Sequence, residues 1–200
     1  KHPDAIIVPT QYQWQSDEIR ANVVADGFSY RMCRPKRIKV WEHESMKDLS
    51  VSQSLIPLSL ASSNCLSGPV KVFDDYPFDE SIPFSYEDMI MTWQMSSHGV
   101  KLFLDINIPI YHHHYGRSKA ALFYIDTPLR AYYKSKHRIL LVQAIAQRWP
   151  ERFLFRSIGL VWQMGWLIIL ILIYCPIRDR SWCIRWVLRG TRDGIQTVRK

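Results

Sequence analysis

From Ile158 to Tyr174 the chain carries no charged residue and one strongly polar side chain, Gln163. No other feature restricts the architecture as much. Read as a helix, these seventeen residues reach about 25 Å, short of the roughly 30 Å hydrocarbon core of a bilayer. Extended back to Phe153, with Arg156 snorkelling, the segment becomes long enough to cross. Both flanks are basic, with seven Lys/Arg from Arg130 to Arg156 and seven more from Arg178 to Lys200. A single span would force one of these equal flanks to the outside, against the positive-inside tendency, whereas an in-plane or re-entrant segment keeps both on one side. The balance favours peripheral or monotopic attachment at the cytoplasmic face of the cell membrane. A single span is the alternative, and a buried core helix is the bland reading.

Charge supports a lipid partner. Residues 1 to 100 carry 9 Lys/Arg against 13 Asp/Glu, a net −4, while residues 101 to 200 carry 17 against 5, a net +12. A basic rear beside a long apolar run faces anionic membrane lipids better than nucleic acid, since a nucleic-acid binder would rest on the high isoelectric point and the Arg/aromatic interleaving alone. After Pro176, the residues Trp182, Arg185, Trp186 and Arg189 alternate indole and cation at helical spacing, as an interfacial helix does. Cys33, Cys65, Cys175 and Cys183 are scattered without a Cys-x-x-Cys pair, so they read as packing thiols rather than a zinc site or a disulfide framework.

Two hundred residues, 48% hydrophobic and 22% charged, suffice for one domain with a sizeable core. The chain opens on "KHPDAIIVP", without Met, and is expected to be a piece of something longer. Its elements follow from periodicity. Ala5 to Val8 is a strand signal, Arg34, Lys36, Arg37 and Lys39 form a basic cluster, and Leu55 to Lys71 reads as buried strand with a tight approach at Gly68. "VFDDYPFDESIPF" reads as a turn. From about Tyr86 to His98 a helix is expected, with Ser85 as N-cap and Gly99 ending it. Val100, Leu102, Leu104, Ile106, Ile108 and Ile110 then share one parity, the signature of a half-buried strand. Pro109 should end its pairing and leave His112 and His114 on a loop. From Leu129 a basic, aromatic helix is expected, stopped by Pro150.

Four pieces occur in order: a small-residue strand ending in "SGPVKVF", "FDE" at Phe78 to Glu80, "YED" at Tyr86 to Asp88 opening a helix, and "YH" at Tyr111 and His112. This order resembles the second half of family 2 glycosyltransferases, in particular their rhamnosyltransferase-like branch. "TPLRAYYKSKHRILLV" is similar to that branch's aromatic-basic helix, "VLRGTRDGI" to its tail, and "HPDAIIVP" and "NVVADGF" to segments after its Asp-x-Asp metal motif. The resemblance covers nearly the whole chain and begins after the nucleotide-binding half, which is expected to lie outside this sequence. It implies an α/β fold: the second half of a GT-A (Rossmann-like) domain, residues 1 to 128, followed by membrane-associated helices, residues 129 to 200.

The resemblance also implies an activity and its residues. A sugar would pass from a nucleotide-sugar donor to a hydroxyl of a glycan or lipid-linked acceptor, with inversion, in cell-surface polysaccharide or glycolipid synthesis. Such a transfer needs a general base to take the acceptor proton as the new bond forms. Asp88 is that base by resemblance, with Glu87 beside it on the acceptor side. His112 matches the histidine that completes coordination of a divalent metal, Mn2+ or Mg2+, on the donor diphosphate. Arg117 and Lys119 are candidates for phosphate oxygens. The chain departs from the branch at Ile90 and Gln94, where an acid and a base are usual. The acids have a structural reading too, since Ser85 and Asp88 fit a capping box and acids favour a first helical turn. A non-catalytic membrane-surface protein lacking the donor-binding half is the alternative function.

Overall fold

A computed structural model describes residues 4–13, 24–31, 33–38, 55–61, 65–83, 85–112, 123 and 125–199. The protein is mixed α/β. In chain order its strands are β1 (Ala5–Gln13), β2 (Val24–Ser29), β3 (Arg34–Ile38), β4 (Leu55–Leu58), β5 (Leu60–Ala61) and β6 (Lys101–His112). Its helices are α1 (Val70–Asp75), α2 (Glu87–Ser97), α3 (Pro128–Ile145), α4 (Trp149–Leu154), a π-helical turn (Phe155–Gly159), α5 (Leu160–Tyr174) and α6 (Ile177–Arg199). The chain divides into two compact units, residues 1–27, 36–79 and 88–114 in the first and residues 28–35, 80–87 and 115–200 in the second.

In the first unit β6 is the middle strand of a small mixed sheet, parallel to β1 and antiparallel to β4. Alternation buries Ile6, Val8 and Thr10 from β1 and Leu102 and Leu104 from β6, and α2 lays Met91 and Met95 into the same core. Burying one such side chain contributes about 1.5 to 3 kcal/mol. A second sheet has the order β3-β2-β5, with β2 antiparallel to β5. The close approach expected at Gly68 is present. A Cβ there would lie 2.3 Å from Ile6 Cδ1 and 3.2 Å from the Ala5 carbonyl, because Ser67 exchanges backbone hydrogen bonds with Ile7.

Two local expectations are corrected and one is met. Residues Val70–Asp75 form a helix rather than a turn; Pro69 precedes it, and Lys71 pairs with Asp75 at 2.9 Å, one turn on. Helix α2 lies where expected, from Glu87 to Ser97, and Gly99 at φ +91° turns the chain into β6. Pro109 does not end β6. The register shifts between Pro9 and Thr10, so that Asp105 faces Pro9 and Pro109 faces Thr10, and pairing resumes as far as His112 opposite Gln13. Such an irregularity is where a strand tolerates proline.

The second unit is mostly helical among its described residues. Thr127 caps α3 by accepting from the Arg130 amide at 3.3 Å, with Pro128 as the first helical residue. Helix α3 stops at Ile145, and Pro150 opens the next helix instead of closing this one, as proline does in a first turn where no amide donor is needed. From Trp149 to Tyr174 the chain is then one continuous helical segment of 26 residues, long and apolar enough to cross a membrane by length and composition. Its inner side joins two apolar cores. One contains Phe155 and Leu160 with Cys33, Ile139 and Val142, and the other contains Leu167, Leu170 and Ile171 with Ile125, Cys183 and Val187.

Helices α3 and α6 meet backbone to backbone. A Cβ on Gly190 would fall 2.3 Å from both the Tyr132 carbonyl and Ser135 Oγ, and one on Gly194 would fall 3.0 Å from the Lys136 carbonyl. Glycines four apart on α6 thus face carbonyls four apart on α3, a spacing that only side-chain-free positions permit. Cys33, Cys175 and Cys183 are buried free thiols, while Cys65 is exposed.

Candidate functional site

The stretch that opens α2 is unusual in its backbone before its side chains are considered. Ser85 and Tyr86 both have positive φ, +67° and +74°, a conformation that L-residues other than Gly adopt at a cost of order 1 to 3 kcal/mol each. This is not the extended conformation of an N-cap. Ser85 therefore does not serve as the cap that the sequence suggests. The strained pair delivers the chain directly into Glu87 and Asp88.

Asp88 is half-buried, and its Oδ1 accepts the amide of the next residue, Met89, at 2.7 Å. Its carbonyl is held by Thr92, whose Oγ1 lies 2.8 Å away. The same hydroxyl accepts the Ala61 amide at 2.9 Å and lies 3.0 Å from the Ala61 carbonyl. One turn on, Ser96 Oγ donates to the Ser59 carbonyl. Thr92 and Ser96 thus fasten α2 to the irregular backbone around β5 and fix the direction in which its first turn points. Thr92 is fully buried, so its hydroxyl would be costly to leave unmatched. Sequence reading missed this anchor. The available signal was a Thr one turn after Asp88 on the Met91 and Met95 side of the helix.

Glu87 is half-buried, with Oε2 buried and without a hydrogen-bond partner among the described residues. A buried, unmatched carboxylate oxygen is uncommon in native structures and calls for a reason. Beside it in sequence, Tyr86 carries the Lys134 ammonium 4.5 Å from its ring centroid, a cation held over an aromatic face. Lys134 was not singled out by the sequence reading; nothing in its local pattern separates it from the other cations of α3.

His112 is the last residue of β6, placed by the sheet opposite Gln13 rather than on a loop. Its side chain, like His113, His114, Arg117 and Lys119, lies outside the described residues. Among the described residues, no group of three or more His, Cys, Asp or Glu is placed to hold a metal ion. No described set of side chains therefore fits the divalent ion of the resemblance. Comparison with protein-family models, with curated proteins and with solved structures finds no match.

Proposed function

We propose that this chain is the acceptor-side part of a membrane-attached glycosyltransferase of the GT-A type, transferring a sugar from a nucleotide-sugar donor to a hydroxyl acceptor with inversion. The observation that carries the reading is the opening of α2. Two left-handed non-glycine residues lead into adjacent carboxylates, one of which has a buried oxygen with no described partner. Strain and an unmatched buried acid are costs that a fold tolerates where chemistry uses them. In this reading Asp88 removes the proton of the attacking hydroxyl, and Glu87 accepts a hydrogen bond from the acceptor. Thr92 keeps the first turn in place. The donor diphosphate, its Mn2+ or Mg2+ ion with His112, and Arg117 and Lys119 belong to the same reading through the sequence resemblance alone.

The test is Asp88→Asn in the full-length protein. Asparagine keeps an oxygen to accept the Met89 amide, so the local structure survives. Losing a general base lowers the rate by about a hundredfold to ten-thousandfold. A purely structural carboxylate gives a nearly silent change, because Asn starts helices about as well as Asp. Donor binding, measured by calorimetry, should be untouched. A second reading, a non-catalytic protein of the cytoplasmic membrane surface, draws on the exposed apolar face of the long helix and predicts that same silence.

A further inference from the structure

The segment Trp149–Tyr174 has two unlike sides. Inward it buries Phe155, Leu160, Leu167, Leu170 and Ile171. Outward it exposes Ile158 (61%), Val161 (65%), Trp162 (57%), Trp166, Ile169 and Ile173. Gln163, the one strongly polar side chain of the run, turns inward, where it is 1% exposed and donates Nε2 to the Ser135 carbonyl at 3.1 Å. The outer side is left without a strongly polar group from Ile158 to Ile173. Only 33% of its most apolar window is buried, whereas the core helix of a water-soluble fold would be mostly enclosed. An apolar surface of this length is a docking surface.

We propose that this face seats on an anionic phospholipid leaflet with the helix lying in the plane of the interface, not across the bilayer. The inference rests on the membrane attachment proposed above and is independent of the transferase chemistry. The argument against crossing is packing. The inner side of the helix shares its core with Cys183 and Val187 of α6, and α6 is joined to α3 through Gly190 and Gly194. Helix α6 exposes Arg178, Arg185, Arg189 and Arg192. Carrying the long helix across would either drag these guanidinium groups to bilayer depth or strip its inner side from its partners. Charges at that depth are costly, and the Gln163 side chain would lose its acceptor.

Charge complementarity identifies the occupant. At one end of the face stand Arg152 and Arg156, both exposed, beside Trp149 stacked on Phe153. At the other stand Arg178, with an 87% exposed side chain, and Arg185 lying 5.6 Å over the Trp182 ring. The acids near these cations are Glu151, a buried neighbour of Arg152 that accepts from the Arg148 amide and the Tyr30 hydroxyl, Asp179, 3.4 Å from Arg178, and Asp193, paired with Arg189 and Arg192. They leave the ends net basic. Cations and indoles bracketing an apolar face match the headgroup level of an anionic leaflet. Gly165 adds an independent sign. A Cβ there would meet nothing within 4 Å, so no internal contact asks for glycine in mid-helix. Its absence of side chain opens a groove of about 460 Å³ between Trp162, Trp166, Ile158 and Ile169, into which an acyl chain can settle.

The experiment is vesicle flotation of the purified full chain, with and without phosphatidylglycerol in phosphatidylcholine, scoring protease access to a C-terminal tag. Binding to the anionic vesicles with the tag digestible from outside is expected, and weaker binding to phosphatidylcholine alone. Gly165→Lys, which has room for its side chain and leaves the fold intact by circular dichroism, should weaken binding about tenfold. Arg178→Glu with Arg185→Glu should weaken it only on anionic vesicles. A tag protected inside the vesicles would establish a crossing helix and overturn the proposal. So would undiminished binding by Gly165→Lys, or failure to float combined with self-association through this face. None of these readouts depends on sugar transfer, so its failure and that of the transferase reading are separable.

Discussion

In the first unit, β1 pairs with β6 so that Ala5 faces Lys101 and Gln13 faces His112, and nearly half of the chain lies between the partners. In the second, α3, the long helix 149–174 and α6 follow one another along the chain, and α6 returns to pack along α3 as well as against the long helix. The first unit is closed by long-range hydrogen-bonded pairing and by side-chain anchors such as Thr92. The second is closed by apolar faces and by backbone contact at two glycines. Substitutions should therefore act through different physics in the two units.

The largest effect is expected at Gly190. Alanine there would drive its Cβ against the Tyr132 carbonyl and Ser135 Oγ, and overpacking of this kind costs about 3 kcal/mol or more when backbone must move. Thermal unfolding followed by helix circular dichroism should show a large drop in midpoint. A silent Gly190→Ala would break the comparison, since backbone contact would then not be what joins α3 to α6. Next in size is Thr92→Val in the first unit. The isosteric change leaves the Ala61 amide, bonded at 2.9 Å to Thr92 Oγ1, without this acceptor, and should cost about 1 to 3 kcal/mol by denaturant unfolding. Under the proposed transferase reading it should also lower transfer activity through the position of Asp88, and Thr92→Ser should restore both.

The helical unit should in addition be sensitive to alkali. Burial, followed by the neighbouring Cys175, pushes the Cys183 thiol up to about 12; burial also raises Cys175 and Cys33. An unfolded thiol titrates near about 8.5. Between these values the unfolded chain has lost a proton that the folded chain keeps, so stability is whole below about pH 8.5 and declines as pH rises towards the folded value. Denaturant midpoints measured against pH should fall over that window, and Cys183→Ala should flatten the fall. A thiol reagent at neutral pH should modify Cys65 at once and the three buried cysteines only on unfolding. The smallest effect is at Gly165, where alanine meets nothing and should stabilise the helix by about 0.5 to 1 kcal/mol. Opposite signs for Gly→Ala at positions 165 and 190 would sharpen the distinction between the helix's outer face and the α3 contact.

The helical unit was the more legible of the two. The apolar run, its basic flanks and the Trp/Arg alternation after Pro176 are local patterns, and each appears as helix. Misreadings there concerned ends: Pro150 reads as a stop in sequence but sits in a first turn. In the β unit the parity from Val100 to Ile110 disclosed a strand, yet its continuation past Pro109 required knowing that β1 shifts register opposite it. Glu87 and Asp88 were singled out through neighbouring motifs, as the residues of the proposed site. Thr92 was not, because a buried threonine on a helix gives no sign of the strand it will meet.

The sequence by itself determined the strand from Val100, the helix that Gly99 closes, the basic aromatic helix from Leu129 and the long apolar helix. Those outcomes follow from short-range periodicity and from the backbone freedom of single residues. Only the tertiary structure decided that β6 lies between β1 and β4, that Ser85 and Tyr86 adopt left-handed conformations, that Gln163 turns inward, and that Gly190 rather than Gly165 is the glycine the fold requires. The physical reason is distance along the chain. Each of these depends on which remote backbone or side chain arrives as neighbour, and local pattern carries no record of that arrival.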